Sequence, residues 1–381
     1  MITGFGAGFI VGIVLLAVGT RHYQRAAAVL LRIEGSEPPL LLRLSSCEVA
    51  EQSAILPGGI RGRLYLPYQS DAPPMVVLHG VHHLGIDEPR LRGFARALAQ
   101  ACLKVLTPQL SSLADYRIEP AAIDEIGIAT NWFSQQSHGR TGILGLSFTG
   151  GLALAAAADP RYSDHTGFVV AVGAHSDLAR VARFYVTGQS ELPDGRVQKI
   201  EPQQYGALIL AFAHPEVFFP QKEIPKAKDC MRLWLSEEYT PARACGSGLS
   251  ASSNVMMEAL FQYKIERLRS RLLAEIEREK DIMARVSPAG RLSAIKAPVF
   301  LLHGENDGII PPAETVWLAR EVPQKYLRRV LISPAVGHVD PAQTSLRDQW
   351  KLVSFLAAVL REAEEAAPTS NSRAEAQASS H

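Results

Sequence analysis

The sequence has little net charge and little cysteine, and each shortage excludes a class of protein. Its 39 lysine and arginine residues nearly balance 38 aspartate and glutamate residues, which leaves a formal net charge of +1. No stripe of basic side chains interleaved with aromatic ones occurs, so no nucleic acid partner is expected. The 4 cysteines are scattered without a Cys-x-x-Cys pair, which indicates neither a disulfide framework nor a zinc site. We therefore expect ordinary, mostly buried thiols.

Charged side chains are also missing from residues 1–20, a long apolar run. At about 1.5 Å per residue, a helix of this length just spans the hydrocarbon core of a bilayer. Arg21, Arg25 and Arg32 follow the run instead of preceding it, which favours an uncleaved single-pass transmembrane anchor over a signal peptide. These charges predict that the rest of the chain lies on the cytoplasmic side of the membrane.

Three glycines, Gly4, Gly8 and Gly12, repeat at four-residue spacing within that run. The spacing would let two anchors pack closely and form a homodimer, although glycine is also common in membrane helices without such a role. The membrane is therefore the expected partner of residues 1–20, and a second copy of the chain is an open alternative.

Strand and helix patterns alternate through most of the chain. The run Met75-Val76-Val77-Leu78 is apolar throughout, which is typical of a strand buried on both faces. Such strands, separated by amphipathic helices, predict an α/β class with a mostly parallel sheet covered on both faces. The predicted strands span residues 40–49, 59–67, 75–78, 104–108, 143–146, 168–172, 297–302 and 328–332, and the predicted helices include residues 90–101, 120–135 and 346–362.

The alternation stops over residues 174–290, which predicts a mainly helical cap inserted between two parts of a core. The core parts are residues 59–173 and 291–363, and residues 21–58 are a linker and first strand region. Within the cap, residues 256–285 predict one long helix, either a lid over a site or a peripheral packing helix. Residues 364–381, rich in alanine, serine and glutamate, predict a disordered tail.

The most informative stretch is Gly145-Leu146-Ser147-Phe148-Thr149. An apolar strand pattern precedes it and a glycine- and alanine-rich helix pattern follows, so Ser147 falls at a sharp turn between the two. Such a turn exposes the hydroxyl at a helix N-terminus, where free N–H groups favour negative charge. An ordinary tight turn is the alternative interpretation.

Other polar residues follow other predicted strands. A serine hydroxyl is a weak nucleophile unless an imidazole takes its proton, and a carboxylate must hold that imidazole in the right tautomer. His338 is the candidate base and Asp307 the candidate acid. Asp307 precedes a glycine and could instead form a turn, in which case Glu305 or Asp177 could supply the carboxylate.

In this order, His79-Gly80, Ser147, Asp307 and His338 resemble the α/β-hydrolase superfamily over roughly residues 59–360. The resemblance implies an α/β-hydrolase fold with an inserted cap, and Ser147, Asp307 and His338 as a catalytic triad. It also implies that the backbone N–H groups of Val81 and Phe148 form the oxyanion hole. No cofactor is expected.

One departure from the family pattern stands out, because Thr149 occupies the position of the second glycine in Gly-x-Ser-x-Gly. A branched side chain there would crowd the contact between helix and strand, although Gly150 and Gly151 follow at once.

His82 and His83 are expected to line the mouth of the pocket and bind substrate. A metal site that combines them with His79 and Asp87 is the alternative, but adjacent residues of an extended segment point to opposite sides. No helical His-x-x-x-His pair accompanies them. We expect no metal.

The expected activity is that of a serine esterase, acting on a small-molecule or lipid-like ester, or on a thioester or amide, through an acyl-enzyme. An acyltransferase would use the same triad. A catalytically silent binding module with this fold is the alternative from a different class.

Overall fold

A computed structural model describes residues 21–69, 71–336 and 345–366. The predicted anchor, with Gly4, Gly8 and Gly12, lies outside these residues, and so does the tail beyond residue 366. Within the described ranges, no helix is both long enough and apolar enough to cross a bilayer.

The strands of the described residues form one large sheet and one small hairpin. They are β1 (Val49–Ile55), β2 (Arg61–Pro67), β3 (Pro74–Leu78), β4 (Lys104–Pro108), β5 (Thr141–Leu146), β6 (Thr166–Val172), β7 (Gln189–Glu191), β8 (Val197–Lys199), β9 (Val299–Gly304) and β10 (Leu327–Ser333). The large sheet has the order β1-β2-β4-β3-β5-β6-β9-β10, and β7 pairs with β8. All neighbours from β4 to β10 in this order are parallel, while β1–β2 and β2–β4 are antiparallel.

Helices cover both faces of the large sheet. They are α1 (Arg21–Ile33), α2 (Leu40–Arg43), α3 (Pro89–Gln100), α4 (Ser111–Ala114), α5 (Ala121–Ser137), α6 (Phe148–Ala158), α7 (Leu178–Thr187), α8 (Gln204–Ala213), α9 (Ile224–Leu235), α10 (Tyr239–Gly246), α11 (Ala251–Phe261), α12 (Ile265–Arg278), α13 (Lys280–Arg285), α14 (Ala313–Glu321) and α15 (Leu346–Ala366). One core cluster joins the sheet to α1, α3 and α15, and the other joins it to α5, α6 and the cap helices. Successive residues of β3 alternate between the two clusters, which explains why that strand is apolar throughout.

The first described helix, α1, is part of the core. Arg25 is buried and donates a 2.7 Å hydrogen bond from Nη1 to Glu364 of α15. The rings of Tyr23 and Trp350 stack at 5.3 Å between the same two helices. Glu364 also shows that α15 continues into the predicted tail, because its last turn is held against α1.

The strand predicted over residues 40–49 is wrong. The leucine run forms the short helix α2, and β1 begins only at Val49. A short apolar run serves a helix or a strand equally well, and here tertiary packing decides. Leu42 is buried against Ala27 and Leu31 of α1.

The long helix predicted over residues 256–285 is divided into α11, α12 and α13. Tyr263 lies at the break between α11 and α12 and has a positive φ of 49°. Its hydroxyl donates to the carbonyl of Tyr185, which fixes this break against α7.

The expectation of free thiols is also wrong, since Cys47 pairs with Cys102 and Cys230 with Cys245. Each pair of Cα atoms is 5.3 Å apart, although 55 and 15 residues separate the partners in sequence. The first bond ties the segment after α2 to the end of α3, and the second joins α9 to α10 within the cap. Sequence spacing alone carries no sign of either contact.

Candidate active site

Ser147 stands at a strained turn between β5 and α6. Its backbone has φ 58° and ψ −129°, a conformation that residues with a side chain rarely adopt. The Ser147 N–H donates a 2.7 Å hydrogen bond to the carbonyl of Val172, which anchors the turn to the neighbouring strand β6. The strain places the side chain at the carboxyl edge of the sheet, at the N-terminus of α6.

Glycines make this turn compatible with the helix that follows it. A side chain on Gly145 would come within 2.6 Å of the backbone of Gly150, and one on Gly150 would come within 2.7 Å of the Cβ of Ala174. Thr149 is fully buried, and its hydroxyl accepts from the N–H of Leu146 at 2.9 Å and donates to the Leu146 carbonyl at 2.7 Å. The backbone of α6 therefore comes closest to Gly145 at the Thr149 carbonyl and at Gly150, and the Thr149 side chain is accommodated there by its hydrogen bonds to Leu146.

The loop after β3 lies beside the turn, because Leu78 of β3 pairs with Gly145 of β5. The His79 ring is buried, accepts from the N–H of Leu110 at 2.9 Å and lies 2.7 Å from the Gly80 carbonyl through Nδ1. Nδ1 therefore carries the proton and donates. Since N–H and C=O point in opposite directions across a planar trans peptide, this bond turns the N–H of Val81 away from His79. Burial lowers the pKa of His79 to about 4, so the ring is neutral.

The cap holds the same loop from the other side. The hydroxyl of Tyr205, in α8, donates a 2.6 Å hydrogen bond to the carbonyl of Val81. Burial raises the pKa of the Tyr205 hydroxyl, which therefore keeps its proton. Hydrogen bonds to the carbonyls of Gly80 and Val81 thus fix the peptides on both sides of the Val81 Cα, and Phe148, the first residue of α6, lines the same cavity as Val81. Nothing in the sequence indicates that Tyr205 reaches this loop.

Asp307 follows β9, which lies two strands from β5 with only β6 between them. Its carboxylate is buried, and Oδ1 accepts from the N–H groups of Ile309 and Ile310 at 2.8 and 3.1 Å. The two alternative acids are placed differently. Asp177 caps α7 by accepting from the N–H of Arg180 at 3.0 Å, and Glu305 is exposed.

His338 lies outside the described residues, but the chain is described up to Val336. A side chain on Gly304 would overlap the carbonyl of Val336 and would lie 3.9 Å from the Cβ of Asp307. Val336 therefore passes directly over the end of β9, beside Asp307. Ala335 and Val336 also line the cavity that contains Ser147.

Two buried histidines have structural roles near these residues. His303 donates from Nε2 to the carbonyl of Ile310 at 2.8 Å and lies 2.6 Å from the Thr315 hydroxyl through Nδ1. His175, which the sequence did not single out, packs against the ring of Phe148 with 5.7 Å between ring centroids. Burial lowers the pKa of His175 to about 4.

Of the two histidines expected at the pocket mouth, His82 lines the cavity. Its ring stacks on that of His83 at 4.6 Å. Burial, together with the neighbouring His83, lowers the pKa of His82. His83 is directed to the hydroxyl of Tyr116, at 3.1 Å from Nδ1.

Within the part of the chain that the structure describes, His79, His82, His83 and Asp87 do not bring three ligand atoms within reach of one ion, and Asp87 forms an ion pair with Arg63. Among the described residues, the His, Cys, Asp and Glu side chains close enough to hold an ion together are His214, Glu216 and Glu275. In that cluster Arg278 bonds to both oxygens of Glu275, so an arginine already supplies the positive charge.

A cavity of about 1230 Å³ surrounds Ser147. Val81, Phe148 and Tyr205 line it, and so do Leu146, Val336 and side chains of α1, α3 and α15. The volume exceeds the roughly 300–1,000 Å³ that is usual for small-molecule sites.

Solved structures that are similar to this chain include several hydrolases. A Legionella pneumophila protein described as a hydrolase has a TM-score of 0.51 at 12% identity, over 89% of this chain and 95% of that one. An esterase from Pyrobaculum calidifontis has a TM-score of 0.44 at 16% identity, over 89% and 92% of the two chains. An acylaminoacyl peptidase from Pyrococcus horikoshii has a TM-score of 0.48 at 12% identity. The match covers 83% of this chain but only 41% of the peptidase.

No protein family's sequence profile matches the chain, and no curated protein matches it in sequence. The order of the strands, the helical insertion between β6 and β9 and the similarity to the Legionella protein nevertheless indicate the same fold. The chain has the α/β-hydrolase fold, with a mostly parallel sheet, helices on both faces and a mainly helical cap.

Proposed function

We propose that the protein is a serine hydrolase that cleaves a carboxylic ester through an acyl-enzyme on Ser147. The observation that carries the proposal is the strained turn at Ser147, which sets the serine at the N-terminus of α6 in the wall of a large cavity. Backbone strain of this kind persists where the surroundings enforce it, and it is common at catalytic residues.

In the first step, the Ser147 Oγ attacks the ester carbonyl while His338 takes its proton. A tetrahedral intermediate forms, the alcohol leaves with that proton, and the acyl group stays on Ser147. Water then attacks the acyl-enzyme with His338 as base, which releases the acid and restores the serine. Asp307 orients His338 and stabilises the imidazolium, and its own orientation is supported by its bonds to Ile309 and Ile310.

The N–H groups of Phe148 and Val81 are the proposed donors to the oxyanion. The N–H of Phe148 is at the N-terminus of α6, where the helix dipole adds to the attraction. Support for Val81 comes from two hydrogen bonds. The bond of His79 to the Gly80 carbonyl holds the peptide that carries the Val81 N–H, and the bond of Tyr205 to the Val81 carbonyl holds the next peptide. Preorganised donors of this kind are worth about 3–4 kcal/mol each in a serine protease.

The test is the hydrolysis of p-nitrophenyl acetate and butyrate by the full-length chain in detergent. Parent protein should release about one equivalent of nitrophenol in a rapid burst before steady turnover, because the acyl-enzyme accumulates. Ser147→Ala should remove the burst and lower the steady rate by at least about 10³-fold. Ser247→Ala, at an exposed serine of the cap, is the matched control and should behave as the parent.

A folded parent protein that is inactive on esters, thioesters and amides would instead favour the silent binding module. Transfer of the acyl group to an added alcohol in preference to water would favour the acyltransferase.

A further inference from the structure

One short segment of the cap is hydrogen-bonded to two loops of the core. We call residues 201–205 the bridging segment; it leads into α8, whose second residue is Tyr205. The Tyr205 hydroxyl donates to the carbonyl of Val81, in the loop after β3, at 2.6 Å. Two residues earlier, the N–H of Gln203 donates to the carbonyl of Gly308, in the loop after β9, at 2.9 Å. Because β3 and β9 lie on opposite sides of β5 in the sheet, the bridging segment joins the loops that flank Ser147.

The contact of this segment with the loop after β9 is close. A side chain on Gly308 would come within 2.7 Å of the Glu201 carbonyl and 3.3 Å of the Gln203 nitrogen. Gly308 does not have a positive φ, so an alanine there would be opposed by the cap and not by its own backbone conformation. The next residue, Ile309, donates its N–H to the carboxylate of Asp307 at 2.8 Å. A displacement of Gly308 would therefore move the backbone that holds the proposed acid.

The bridging segment is also anchored on its cap side. The ring of Tyr185, in α7, lies against the start of α8, where a side chain on Gly206 would come within 2.3 Å of it. The start of α7 is in turn joined to α14, the helix that follows the Asp307 loop. The buried carboxylate of Glu314 accepts from the N–H of Asp177 at 2.9 Å and from the guanidinium of Arg180. These contacts tie the first part of the cap to the core.

We propose that the bridging segment positions the Val81 N–H and the Asp307 carboxylate together, with Tyr205 as the positioning residue through which the cap sets the rate of the chemical step. This assignment rests on the proposed ester hydrolysis at Ser147 and names how the cap regulates that site. A cap that only covered the cavity would affect the entry and binding of substrate. A cap that holds an oxyanion donor affects the stability of the transition state, and therefore kcat.

The first experiment removes the Tyr205 hydroxyl and keeps its ring. On p-nitrophenyl butyrate, Tyr205→Phe should lower kcat by about 10- to 100-fold and change KM by no more than about two-fold, because the Val81 N–H acts only as the oxyanion forms. The affinity for a trifluoromethyl ketone, which mimics the tetrahedral intermediate, should fall by the same factor as kcat/KM. Tyr162→Phe, which removes a 3.0 Å hydrogen bond to Asp124 away from the cavity, is the matched control.

Urea unfolding establishes that both variants are folded under the conditions of the assay. An unchanged kcat in folded Tyr205→Phe, or a rise in KM alone, would contradict the assignment. An equal loss of kcat in Tyr162→Phe would also contradict it, since the effect would then follow from a general loss of stability.

The second experiment asks whether one segment serves both loops. Gly308→Ala should push the bridging segment away from the Asp307 loop and thereby already weaken the bond from Tyr205 to Val81. The loss of kcat in Gly308→Ala/Tyr205→Phe should therefore be much smaller than the product of the two single losses. Single losses that multiply would mean that the two loops are supported independently, and the shared role would be rejected. A parent protein inactive on every ester would instead reject the proposed function.

Discussion

The hydroxyl of Thr149 is hydrogen-bonded to both backbone polar groups of Leu146, accepting from its N–H at 2.9 Å and donating to its carbonyl at 2.7 Å. Leu146 is the last residue of β5, immediately before Ser147. A side chain that departs from the usual glycine therefore helps to close the turn at the candidate nucleophile.

Removing that hydroxyl should destabilise the turn. Thr149→Val keeps the shape but leaves two part-buried backbone groups without this partner, and the loss of a hydrogen bond costs about 1 kcal/mol each. We expect Thr149→Val to lower the urea midpoint clearly and Thr149→Ser, which keeps the hydroxyl, to lower it much less. A valine variant as stable as the parent would show that the two hydrogen bonds contribute nothing.

Gly304 should be needed for activity more than for folding. A methyl group there would overlap the Val336 carbonyl and push away the chain that leads to His338. Misplacement of a catalytic group by about 1 Å can cost 10²-fold in rate, so Gly304→Ala should lower kcat/KM on p-nitrophenyl butyrate by about that factor. Gly93→Ala in α3, where nothing lies within 4 Å of the added carbon, is the control. Full activity in Gly304→Ala would show that the position of Val336 does not affect the active site.

Stability should fall with acid because of His79 and His175. Burial lowers the pKa of both to about 4, below the usual 6.5, so the unfolded chain takes up protons first as the pH falls. Their contribution is complete above pH 6.5 and is lost between about pH 6.5 and 4, with a slope of up to about 1.4 kcal/mol per pH unit each.

Urea unfolding at pH 7.5, 5.5 and 4.5 measures this slope. His175→Gln should make it shallower, whereas His138→Asn, at an exposed position, should not. A slope that His175→Gln leaves unchanged would mean that this ring stays protonatable in the folded protein.

Both disulfides should be present in the isolated protein. Maleimide labelling in denaturant should add nothing without reductant and four groups after reduction. The replacement Cys230→Ser/Cys245→Ser, which opens a loop of about 15 residues, should lower the free energy of unfolding by about 3 kcal/mol. Labelling of all four thiols without reductant would contradict the pairing.

The disulfides also bear on which side of a membrane the folded part of the chain would lie. Such bonds persist in oxidising compartments, whereas Arg21, Arg25 and Arg32 favour a cytoplasmic body by the distribution of charge. If residues 1–20 span a membrane, a single short span can be inserted in either direction, and we propose that the folded body lies on the oxidising side. Accessibility of the body to protease added outside intact cells or spheroplasts checks this expectation.

The fold was largely predictable because buried parallel strands leave continuous apolar runs, as Met75 to Leu78 shows. Features that depend on distant contacts were not. The leucine run of α2 forms a helix whose Leu42 packs on α1, and the cysteines paired across 55 and 15 residues. At the site, the glycines on either side of Ser147 in the sequence indicated the turn. The hydrogen bond from Tyr205 to Val81, by contrast, joins residues 124 positions apart. Nothing local in the sequence announces such a contact.

The proposed nucleophile can be tested most directly by covalent labelling. The full-length chain should react with a fluorophosphonate probe, and mass spectrometry of its peptides should place a single adduct on Ser147. Ser147→Ala should abolish labelling, and Ser247→Ala should not. An adduct on another residue, or labelling that survives Ser147→Ala, would contradict the assignment of Ser147 as the nucleophile.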